Sequence, residues 1–380
     1  MKIIAKTLYG LEQVLADELG ILGCKDIAIA NRAVIFTGDL KTLYMVNYMA
    51  RTALSFLVTI KEFRINSVDD LYQKSLRIDW EEYMDADKTF SVTAVVNSRF
   101  FNHSGFAALK LKDAVADYFR NKAGRRPNVD TSDPEIIINL HISNDRVTIS
   151  LDSSGIPLFK RGYRQEQGIA PLNEVLAAGM LFLSGWDAKY DLTDPMCGSG
   201  TIPVEAALIS TNTPPGKFRK TFGFQKWNNY NADLFANVSE TADAGIRVSL
   251  VTIHASDISE VAVNLASRNI QNAGISSSVS LNVADFSTLR ADGDKGFLII
   301  NPPYGERMDT DEGYTIYSMI GTTLKHSFPG HVAWIISSNN EALKHVGLKP
   351  SKKYALYNGS LECNFLRYDL YQGSHKAGRS

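Results

Sequence analysis

The tetrapeptide Asn301-Pro302-Pro303-Tyr304 has the groups needed to bind a planar amino group. The asparagine side-chain oxygen and the carbonyl before a proline accept hydrogen bonds, and the tyrosine ring offers a flat face on which a base stacks. Each proline fixes its own φ and favours an extended conformation in the residue before it, so the turn is stiff. An ordinary strand-to-loop turn uses the same residue types, so this tetrapeptide alone leaves both interpretations open.

Polar side chains follow four consecutive predicted strands, at Asp194, Asp257, Asp285 and Asn301. Open α/β sheets bind ligands at the carboxyl ends of their strands, where an acid after the second strand accepts hydrogen bonds from ribose hydroxyls. Asp285 and Phe286 suit the amino group and the ring of an adenine. Each acid taken singly is also explained as a helix cap. Together the four positions favour adenosine with a charged tail over a nicotinamide dinucleotide.

A glycine turn, Asp194-Pro-Met-Cys-Gly-Ser-Gly-Thr201, joins the first of these strands to a predicted helix. Gly198 and Gly200 let a ligand approach the backbone, and the start of the helix offers N–H groups to an anion. The turn is not a P-loop, because it has no Gly-Lys-Ser/Thr triplet, and Pro203 stands where a dinucleotide motif has its third glycine. A tight turn without a ligand is an equally good explanation.

The composition predicts a globular chain with a substantial core, since 44% of its 380 residues are hydrophobic and 21% are charged. The length favours two or three domains. The three cysteines are too scattered for a disulfide framework or a zinc site, and the seven histidines show no metal spacing. No apolar run approaches the roughly 20 residues of a membrane span. The first residues do not resemble a signal peptide, so we expect a cytoplasmic protein. Because the cysteines and histidines lack metal-ligand spacing, we also expect no metal.

The pattern of predicted elements changes along the chain. Residues 1–60 predict a small α+β unit, and residues 61–155 a second one that ends in a hairpin around Ser143-Asn144-Asp145. From residue 170 onward strands alternate with helices, which predicts a parallel sheet with crossover connections. Asn358-Gly359 predicts a closing hairpin, so the sheet should finish with an antiparallel strand.

Basic residues are concentrated in three segments, at 99–126, 160–164 and 217–220, on a chain whose net charge is only −1. A solvated surface explains any one segment, but three together favour a polyanionic partner on a local basic face. The segment 213–230 adds the aromatic residues Phe218, Phe222, Phe224 and Trp227 to a Pro-Pro-Gly turn. It is equally well interpreted as an RNA contact, a lid or a packed loop.

Residues 170–371 resemble the class I S-adenosylmethionine-dependent methyltransferases. The glycine turn together with Asn301-Pro-Pro-Tyr-Gly-Glu-Arg-Met308 is similar to the RNA guanine-N2 methyltransferases typified by RlmL, and the upstream half is similar to their ferredoxin-like and THUMP modules. The resemblance implies an α/β protein with a C-terminal Rossmann-like domain. Its sheet would be mostly parallel with an antiparallel C-terminal strand. The implied division is a ferredoxin-like domain at 1–60, a THUMP domain at 61–155, a linker at 156–170 and a catalytic domain at 171–380.

The resemblance also implies site residues. The catalytic set is Asn301, Pro302, Pro303 and Tyr304. The residues expected to bind S-adenosylmethionine are Pro171, Leu172, Asp194, Pro195, Cys197, Gly198, Ser199, Gly200, Thr201, Asp257, Ile258, Asp285, Phe286 and Asn301. Asp194 and the glycine turn would hold its methionine portion, and Pro171 and Leu172 would close the pocket. The residues expected to contact RNA are Arg99, Lys110, Lys112, Arg125, Arg126, Lys160, Arg161 and Arg164.

The implied reaction is methyl transfer to the N2 amino group of a guanine in 23S ribosomal RNA, met as free RNA or in a pre-ribosomal particle, with S-adenosylhomocysteine as the second product. Some members of the family continue into a second methyltransferase module, and here only the N2 activity is expected. Other planar amino groups remain open as substrates, namely those of tRNA guanine, adenine or a protein glutamine. A non-catalytic RNA-binding assembly factor is the remaining alternative.

Overall fold

The computed structural model describes residues 1–164, 172–303 and 310–371, and within these ranges the chain forms two compact units. The first unit contains Met1–Thr7, Ala16–Leu158 and Arg219–Thr241. The second unit contains Leu8–Leu15, Phe159–Phe218 and the described residues from Ala242 onward. Pro171 and Tyr304, both predicted to belong to the site, lie outside the described residues.

Seven strands form the sheet of the first unit. They are β1 (Lys2–Lys6), β2 (Lys25–Ala30), β3 (Ala33–Thr37), β4 (Ser55–Arg64), β5 (Phe90–Asn97), β6 (Ile136–Ser143) and β7 (Arg146–Asp152). Their order across the sheet is β2-β3-β1-β4-β7-β6-β5, and the pair β5–β6 is parallel while the other neighbours are antiparallel. The predicted hairpin at Ser143-Asn144-Asp145 is confirmed, because Ser143 pairs with Arg146.

The helices of the described residues are α1 (Glu12–Ile21), α2 (Leu40–Met49), α3 (Val68–Leu76), α4 (Ser104–Ala123), α5 (Glu174–Ser184), α6 (Thr201–Ser210), α7 (Ala232–Ala244), α8 (Glu260–Asn272), α9 (Thr310–Ser327) and α10 (Asn340–Lys344). Their boundaries follow from local chemistry. Asn173 begins α5 by accepting hydrogen bonds from the N–H groups of Val175 and Leu176, and Ser259 caps α8 through Ala262. None of these helices is both long and apolar enough to cross a membrane.

The second unit contains the other seven-stranded sheet, which has the architecture implied by the resemblance. Its strands are β8 (Leu192–Asp194), β9 (Ile253–Asp257), β10 (Val279–Val283), β11 (Phe297–Ile300), β12 (Val332–Ser337), β13 (Lys352–Asn358) and β14 (Leu361–Asp369). They are ordered β10-β9-β8-β11-β12-β14-β13, and β8 to β12 are mutually parallel. β14 is antiparallel to β12, as the Asn358-Gly359 hairpin predicted.

The strand order reverses between β8 and β11, and this reversal locates the ligand crevice. From β8 the chain proceeds to β9 and β10 on one side, and then returns to β11 and β12 on the other. In an open parallel sheet such a switch point leaves a crevice at the carboxyl ends of the strands. Leu298, Ile299 and Ile300 of β11 are fully buried, as expected for a central strand covered on both faces. Asp194 and Asn301 therefore stand on opposite sides of the switch point.

The segment 219–241 belongs to the first unit although it lies between α6 and α8 in sequence. Phe224 is fully buried, and its ring lies 4.4 Å from that of Tyr44 on α2. Phe222 is also buried and stacks on Phe224 with 5.2 Å between the ring centroids. The backbone N–H of Asn231 donates to the Tyr44 hydroxyl at 3.0 Å. Three interpretations were open for the overlapping segment 213–230. The packed loop is the one that describes Phe222 and Phe224, because buried rings cannot stack on RNA bases.

The structure adds elements that the sequence did not suggest. β2, β4, α3 and α7 were not predicted. β4 crosses the predicted boundary at residue 60 and pairs with both β1 and β7. The ferredoxin-like and THUMP segments thus share one continuous sheet, and the proposed domain boundaries stay predictions.

Candidate active site

Asp257, the last residue of β9, holds the glycine turn that follows β8. Its Oδ2 accepts a hydrogen bond from the N–H of Gly198, and its Oδ1 accepts one from Ser259, both at 2.9 Å. Two further bonds can still be accepted, because an ionised carboxylate has about four lone-pair sites. The arrangement leaves Asp257 able to take the ribose hydroxyls expected of it while it holds the turn.

Gly200 cannot carry a side chain without moving its neighbours. Its φ is +82°, and a Cβ placed there would lie 3.0 Å from the Cβ of Ala266 on α8. The turn is also tied to α8 through Asn269, whose side-chain amide donates to the Ser199 carbonyl at 2.9 Å. Gly200 precedes α6 and provides no side-chain cap, so the first turn of that helix presents N–H groups to a ligand.

Asp194 is buried at the end of β8, with 1% of its surface exposed. Burial raises the pKa of this carboxyl well above its ordinary value, and the nearby charge of Asp257 acts in the same direction. Its hydrogen bond from the Met196 N–H is long, at 3.3 Å. A buried acid with so little compensation suits a cationic partner, such as the ammonium of an amino-acid tail.

Cys197 lies in the glycine turn and behaves as a small packed residue. Its side chain is buried against Ala255 and Ala266, and burial raises the pKa of its thiol. A thiol with a raised pKa is a poor nucleophile. Cys197 still contributes its backbone to the turn, because its N–H donates to the Ser256 carbonyl at 2.9 Å.

The expected adenine contacts are only partly presented by the structure. Ile258 is 72% exposed beside Asp257, which gives the site an open apolar surface. Asp285 follows β10 and accepts the Ser287 N–H at 2.8 Å. The expectation for the Phe286 ring was wrong: the ring is 2% exposed and packs 5.9 Å from that of Phe328 in the core, so it offers no face to an adenine. The buried ring instead anchors the turn that carries Asp285.

Asn301 directly follows β11 and carries a side-chain oxygen without a partner. Oδ1 is buried and has no hydrogen-bond donor among the described residues. Pro302 is buried, whereas Pro303 is exposed at the start of the following loop. A buried amide oxygen is normally satisfied, so an acceptor left unpaired among the described residues is a candidate to bind a ligand N–H.

The basic linker does not present the arginines that were predicted to bind phosphates. Arg161 has only 2% of its side chain exposed and pairs with Glu205 on α6, with Nε 3.3 Å from Oε1 and Nη2 3.3 Å from Oε2. The Tyr163 hydroxyl donates to the same Glu205 at 3.3 Å. Arg164 is also buried and pairs with Glu174 at 3.3 Å. The expectation that Arg161 and Arg164 contact RNA was therefore wrong, because their charges face the interior of the second unit; Lys160 is exposed and stays a prediction.

Arg164 and Glu174 connect the linker to the cofactor turn. Arg164 Nη2 donates to the Thr201 hydroxyl at 2.6 Å and lies 3.5 Å from the carbonyl of Leu172. Burial raises the pKa of Glu174, and the charge of Arg164 opposes this shift. Leu172 is buried, and its expected role in closing the pocket stays a prediction. Sequence reasoning missed this pair, since a buried arginine and a surface arginine look alike in a basic run.

A basic and aromatic patch lies on the first unit at the start of α4. Phe106 is 47% exposed and Lys110 Nζ lies 5.7 Å from its ring centroid, while the Arg99 guanidinium lies 4.9 Å from the ring of Phe100. Exposed rings beside cations provide stacking and phosphate contacts together. This patch agrees with the roles predicted for Arg99 and Lys110, which stay predictions.

The other predicted RNA contacts on the first unit are paired with acids. Lys112 Nζ lies 2.5 Å from Asp113, and Arg126 Nη2 lies 2.6 Å from Asp117. Arg125 makes a two-pronged contact with Asp87. Exposed pairs of this kind contribute only about 0–1 kcal/mol, so a phosphate can replace the acid at low cost. Across the described ranges no three metal-ligating side chains converge.

Comparison with known families places this geometry in context. Residues 161–367 match the family model described as the RMKL-like methyltransferase domain, which covers more than half of the chain. Residues 66–152 match the THUMP domain, and residues 2–54 match the RlmL ferredoxin-like domain. The chain therefore has ferredoxin-like and THUMP segments followed by a class I methyltransferase fold, as the resemblance implied.

Individual relatives agree with the family models. A Synechocystis sp. protein provisionally named an RNA methyltransferase is 36% identical over 97% of this chain and 96% of its own length. The ribosomal RNA large subunit methyltransferase K/L of Syntrophotalea carbinolica is 38% identical over 97% of this chain but only 54% of its own length, so the chain spans about half of that relative. The crystal structure of SMU.472, provisionally named a methyltransferase and complexed with SAH, has a TM-score of 0.88 at 28% identity, covering 98% of this chain and 99% of that one.

Proposed function

This chain belongs to the RMKL-like methyltransferase family, and on that premise we propose that it transfers a methyl group from S-adenosylmethionine to the N2 amino group of a guanine in large-subunit ribosomal RNA. The relatives named ribosomal RNA large subunit methyltransferase K/L support the substrate class, and the THUMP segment supports RNA. The proposal includes 23S RNA, free or in a pre-ribosomal particle, and the predicted cytoplasmic location.

The unpaired Oδ1 of Asn301 is the observation that carries the proposal. It is a buried acceptor at the carboxyl end of the central strand β11, beside the switch point. An exocyclic amino group has two N–H donors, and the carbonyl of Pro302 is the second acceptor within the same turn. Oδ1 and this carbonyl would hold both donors and orient the nitrogen lone pair.

The chain's own contribution to the reaction is positioning. The lone pair of a guanine amino group is delocalised into the ring, so an unoriented amine reacts slowly. Holding the amine in an attacking geometry is worth up to roughly 7–11 kcal/mol in favourable systems. S-adenosylmethionine supplies an electrophilic methyl group on its sulfonium. No strong base is needed from the chain, because the amino nitrogen becomes acidic as it is methylated.

The residues available to the cofactor fit its separate parts. The buried acid Asp194 suits the ammonium, Asp257 the ribose hydroxyls, and Ile258 together with Asp285 the adenine. The fit rests on the open space at Gly198, where a Cβ would meet nothing within 4 Å, and on the burial of Asp194 with one long hydrogen bond. These assignments are proposals for binding roles that the sequence first suggested.

The guanine must be reached in single-stranded RNA or flipped out of a helix, at a cost of a few kcal/mol. Contacts to phosphates on the first unit can meet part of this cost without reading sequence. Arg99, Lys110 and the exposed ring of Phe106 are the residues proposed to provide them.

An Asn301→Ala substitution tests the proposal. We expect methyl transfer to fall by at least about 100-fold, by analogy with the loss of one preorganised polar contact, while the affinity for S-adenosylhomocysteine, to which Asn301 is only one of many contributors, falls far less. The matched control is Asn339→Ala at the same edge of the sheet after β12, where Oδ1 only caps α10 through Ala342. That variant should lose about 1 kcal/mol of stability and keep its activity. Equal loss of transfer and cofactor affinity in Asn301→Ala would contradict the role of Asn301.

The substrate is tested by offering ribosomal RNA, tRNA and protein to the purified chain with labelled cofactor. Label in tRNA guanine, adenine or glutamine alone would replace the proposed substrate by one of the alternatives. Absence of any affinity for S-adenosylhomocysteine in calorimetry would favour the non-catalytic assembly factor.

A further inference from the structure

Arg164 lies against the start of α6, where the glycine turn ends. Its Nη2 donates to the hydroxyl of Thr201, the first residue of that helix, at 2.6 Å. The same nitrogen lies 3.3 Å from Oε1 of Glu174 on α5. Only 8% of the Arg164 side chain is exposed, so this guanidinium belongs to the interior of the second unit and not to its open surface.

The guanidinium of Arg164 is not fully satisfied. Its Nε is buried and has no hydrogen-bond partner among the described residues. Buried donors are rarely left unpaired, and an unpaired charged donor is especially unfavourable. Because a guanidinium is planar and rigid, Nε lies within one guanidinium width of the Thr201 contact. The unpaired donor therefore lies beside the start of α6.

Two independent features attract a negative group to this region. The first is the N-terminus of α6, a helix of ten residues whose N-cap Gly200 supplies no side-chain acceptor. The second is the buried Arg164. Glu174 contacts Nη2, and Nε has no partner among the described residues, so one charge-assisted donor of Arg164 stays unused.

The ligand proposed for this site has one negative group in its charged tail, and its ammonium is accounted for elsewhere. Asp194, buried at the end of β8, is the acid suited to the ammonium. We infer that Arg164 binds the α-carboxylate of S-adenosylmethionine together with the first turn of α6, and is a carboxylate-binding residue rather than an RNA contact. The inference rests on the proposed function.

In this role, two separate parts of the chain would contribute to one cofactor site. Arg164 comes from the linker that follows the THUMP segment, whereas Thr201 and Asp194 come from the methyltransferase sheet and its first helix. The linker would thus complete the cofactor site. If Arg164 only held α5 and α6 together, its loss would weaken the binding of ligands with and without the carboxylate equally.

Calorimetry with two ligands separates these roles. One ligand is S-adenosylhomocysteine, and the other is its decarboxylated analogue, which keeps the adenosine, the sulfur and the amine. The wild-type chain should bind the first at least about tenfold more tightly, as expected for one charge-assisted hydrogen bond. Arg164→Gln should lose about tenfold to hundredfold in affinity for S-adenosylhomocysteine and none for the analogue. Lys160→Gln, an exposed cation on the same linker, should leave both affinities unchanged.

Several outcomes would overturn the inference. Equal affinities of the wild-type chain for the two ligands would do so without any variant. Equal losses for both ligands in Arg164→Gln would show a purely structural role. If that variant does not fold, Arg164→Lys replaces it, and an unchanged ratio of the two affinities in this variant contradicts the inference. A wild-type chain that binds neither ligand refutes the proposed function itself.

Discussion

Replacing Asp257 by asparagine probes the cofactor site at the residue that holds the glycine turn. Both carboxylate oxygens accept backbone N–H groups, from Gly198 and Ser259, at 2.9 Å each. Asparagine has almost the same shape but only one acceptor oxygen. Its NH₂ group would face one of the two N–H donors, so one of these contacts becomes repulsive.

The expected loss follows from this geometry. A charge-assisted hydrogen bond from a ribose hydroxyl to Asp257 would contribute about 1.5–3 kcal/mol, so its loss corresponds to about 10–150-fold in the Kd for S-adenosylhomocysteine. The repulsive contact with one backbone N–H displaces the glycine turn and adds to this loss. Folding should be affected less, because Asp257 is only half-buried and the rest of the turn keeps its contacts with α8.

Isothermal titration calorimetry measures the Kd directly, and a thermal melt of the same sample reports folding. Asp39→Asn is the matched control, since Asp39 caps α2 in the first unit through Thr42 and asparagine is an equally good cap. An Asp257→Asn variant that binds S-adenosylhomocysteine as tightly as the wild-type chain, while folded, would refute the assigned role of Asp257.

Three further predictions concern backbone strain, pH and RNA. Gly200→Ala should destabilise the chain by about 1–3 kcal/mol and weaken cofactor binding, because its φ is +82° and Ala266 lies 3.0 Å from the new Cβ. Gly274→Ala, with φ +66° and open space around the new Cβ, should show only the cost of backbone strain. Equal thermal shifts in the two variants would contradict the contribution of the Ala266 contact. Burial raises the pKa of Asp152 to about 6, so its neutral form favours folding and this contribution is lost as pH rises from about 4 through 6. In urea unfolding at pH 4 and pH 7, Asp152→Asn should therefore lose less stability with rising pH than the wild-type chain does, by at most about 3 kcal/mol. Parallel pH dependences of the two chains would disprove the assignment. Phe106→Ala removes an exposed ring and should weaken RNA binding by about 1–3 kcal/mol in a filter assay with unchanged cofactor affinity, whereas unchanged RNA affinity would remove this ring from the proposed surface.

Sequence reasoning performed best where local chemistry decides the structure. Asp194, Asp257 and Asn301 stand at the carboxyl ends of parallel strands in one sheet, because a polar residue after an apolar run marks the end of a buried strand. The Asn358-Gly359 hairpin followed from the requirement for positive φ in a tight turn, and Gly359 has a φ of +64°. These features depend on a few neighbouring residues, so they can be predicted from the sequence alone.

The features that were missed depend on tertiary packing. Arg161 and Arg164 belong to a basic run that is typical of a surface, and only the folded chain shows that Glu205 and Glu174 draw them inward. The Phe286 ring follows a strand end like a ligand contact, yet it packs against Phe328. Burial of a residue depends on partners far away in sequence, which its neighbours in the chain do not reveal.

The segment 219–241 illustrates the same limit at the level of a whole element. Its aromatic residues suit RNA stacking and core packing equally well in sequence. Only its association with Tyr44 in the first unit separates these alternatives. The aromatic residues therefore indicated that the segment makes ring contacts, but not whether those contacts are with RNA or with the protein core.

The identity of the methylated atom distinguishes the proposed reaction from its alternatives. The purified chain would be incubated with S-adenosylmethionine carrying a deuterated methyl group and with unmodified large-subunit ribosomal RNA, and the nucleosides would then be separated by mass spectrometry. The pairing of Asn301 Oδ1 and the Pro302 carbonyl with an exocyclic amine predicts label in N2-methylguanosine, and its disappearance with Asn301→Ala. Label in a ring nitrogen, a ribose hydroxyl or N6-methyladenosine instead would contradict the account.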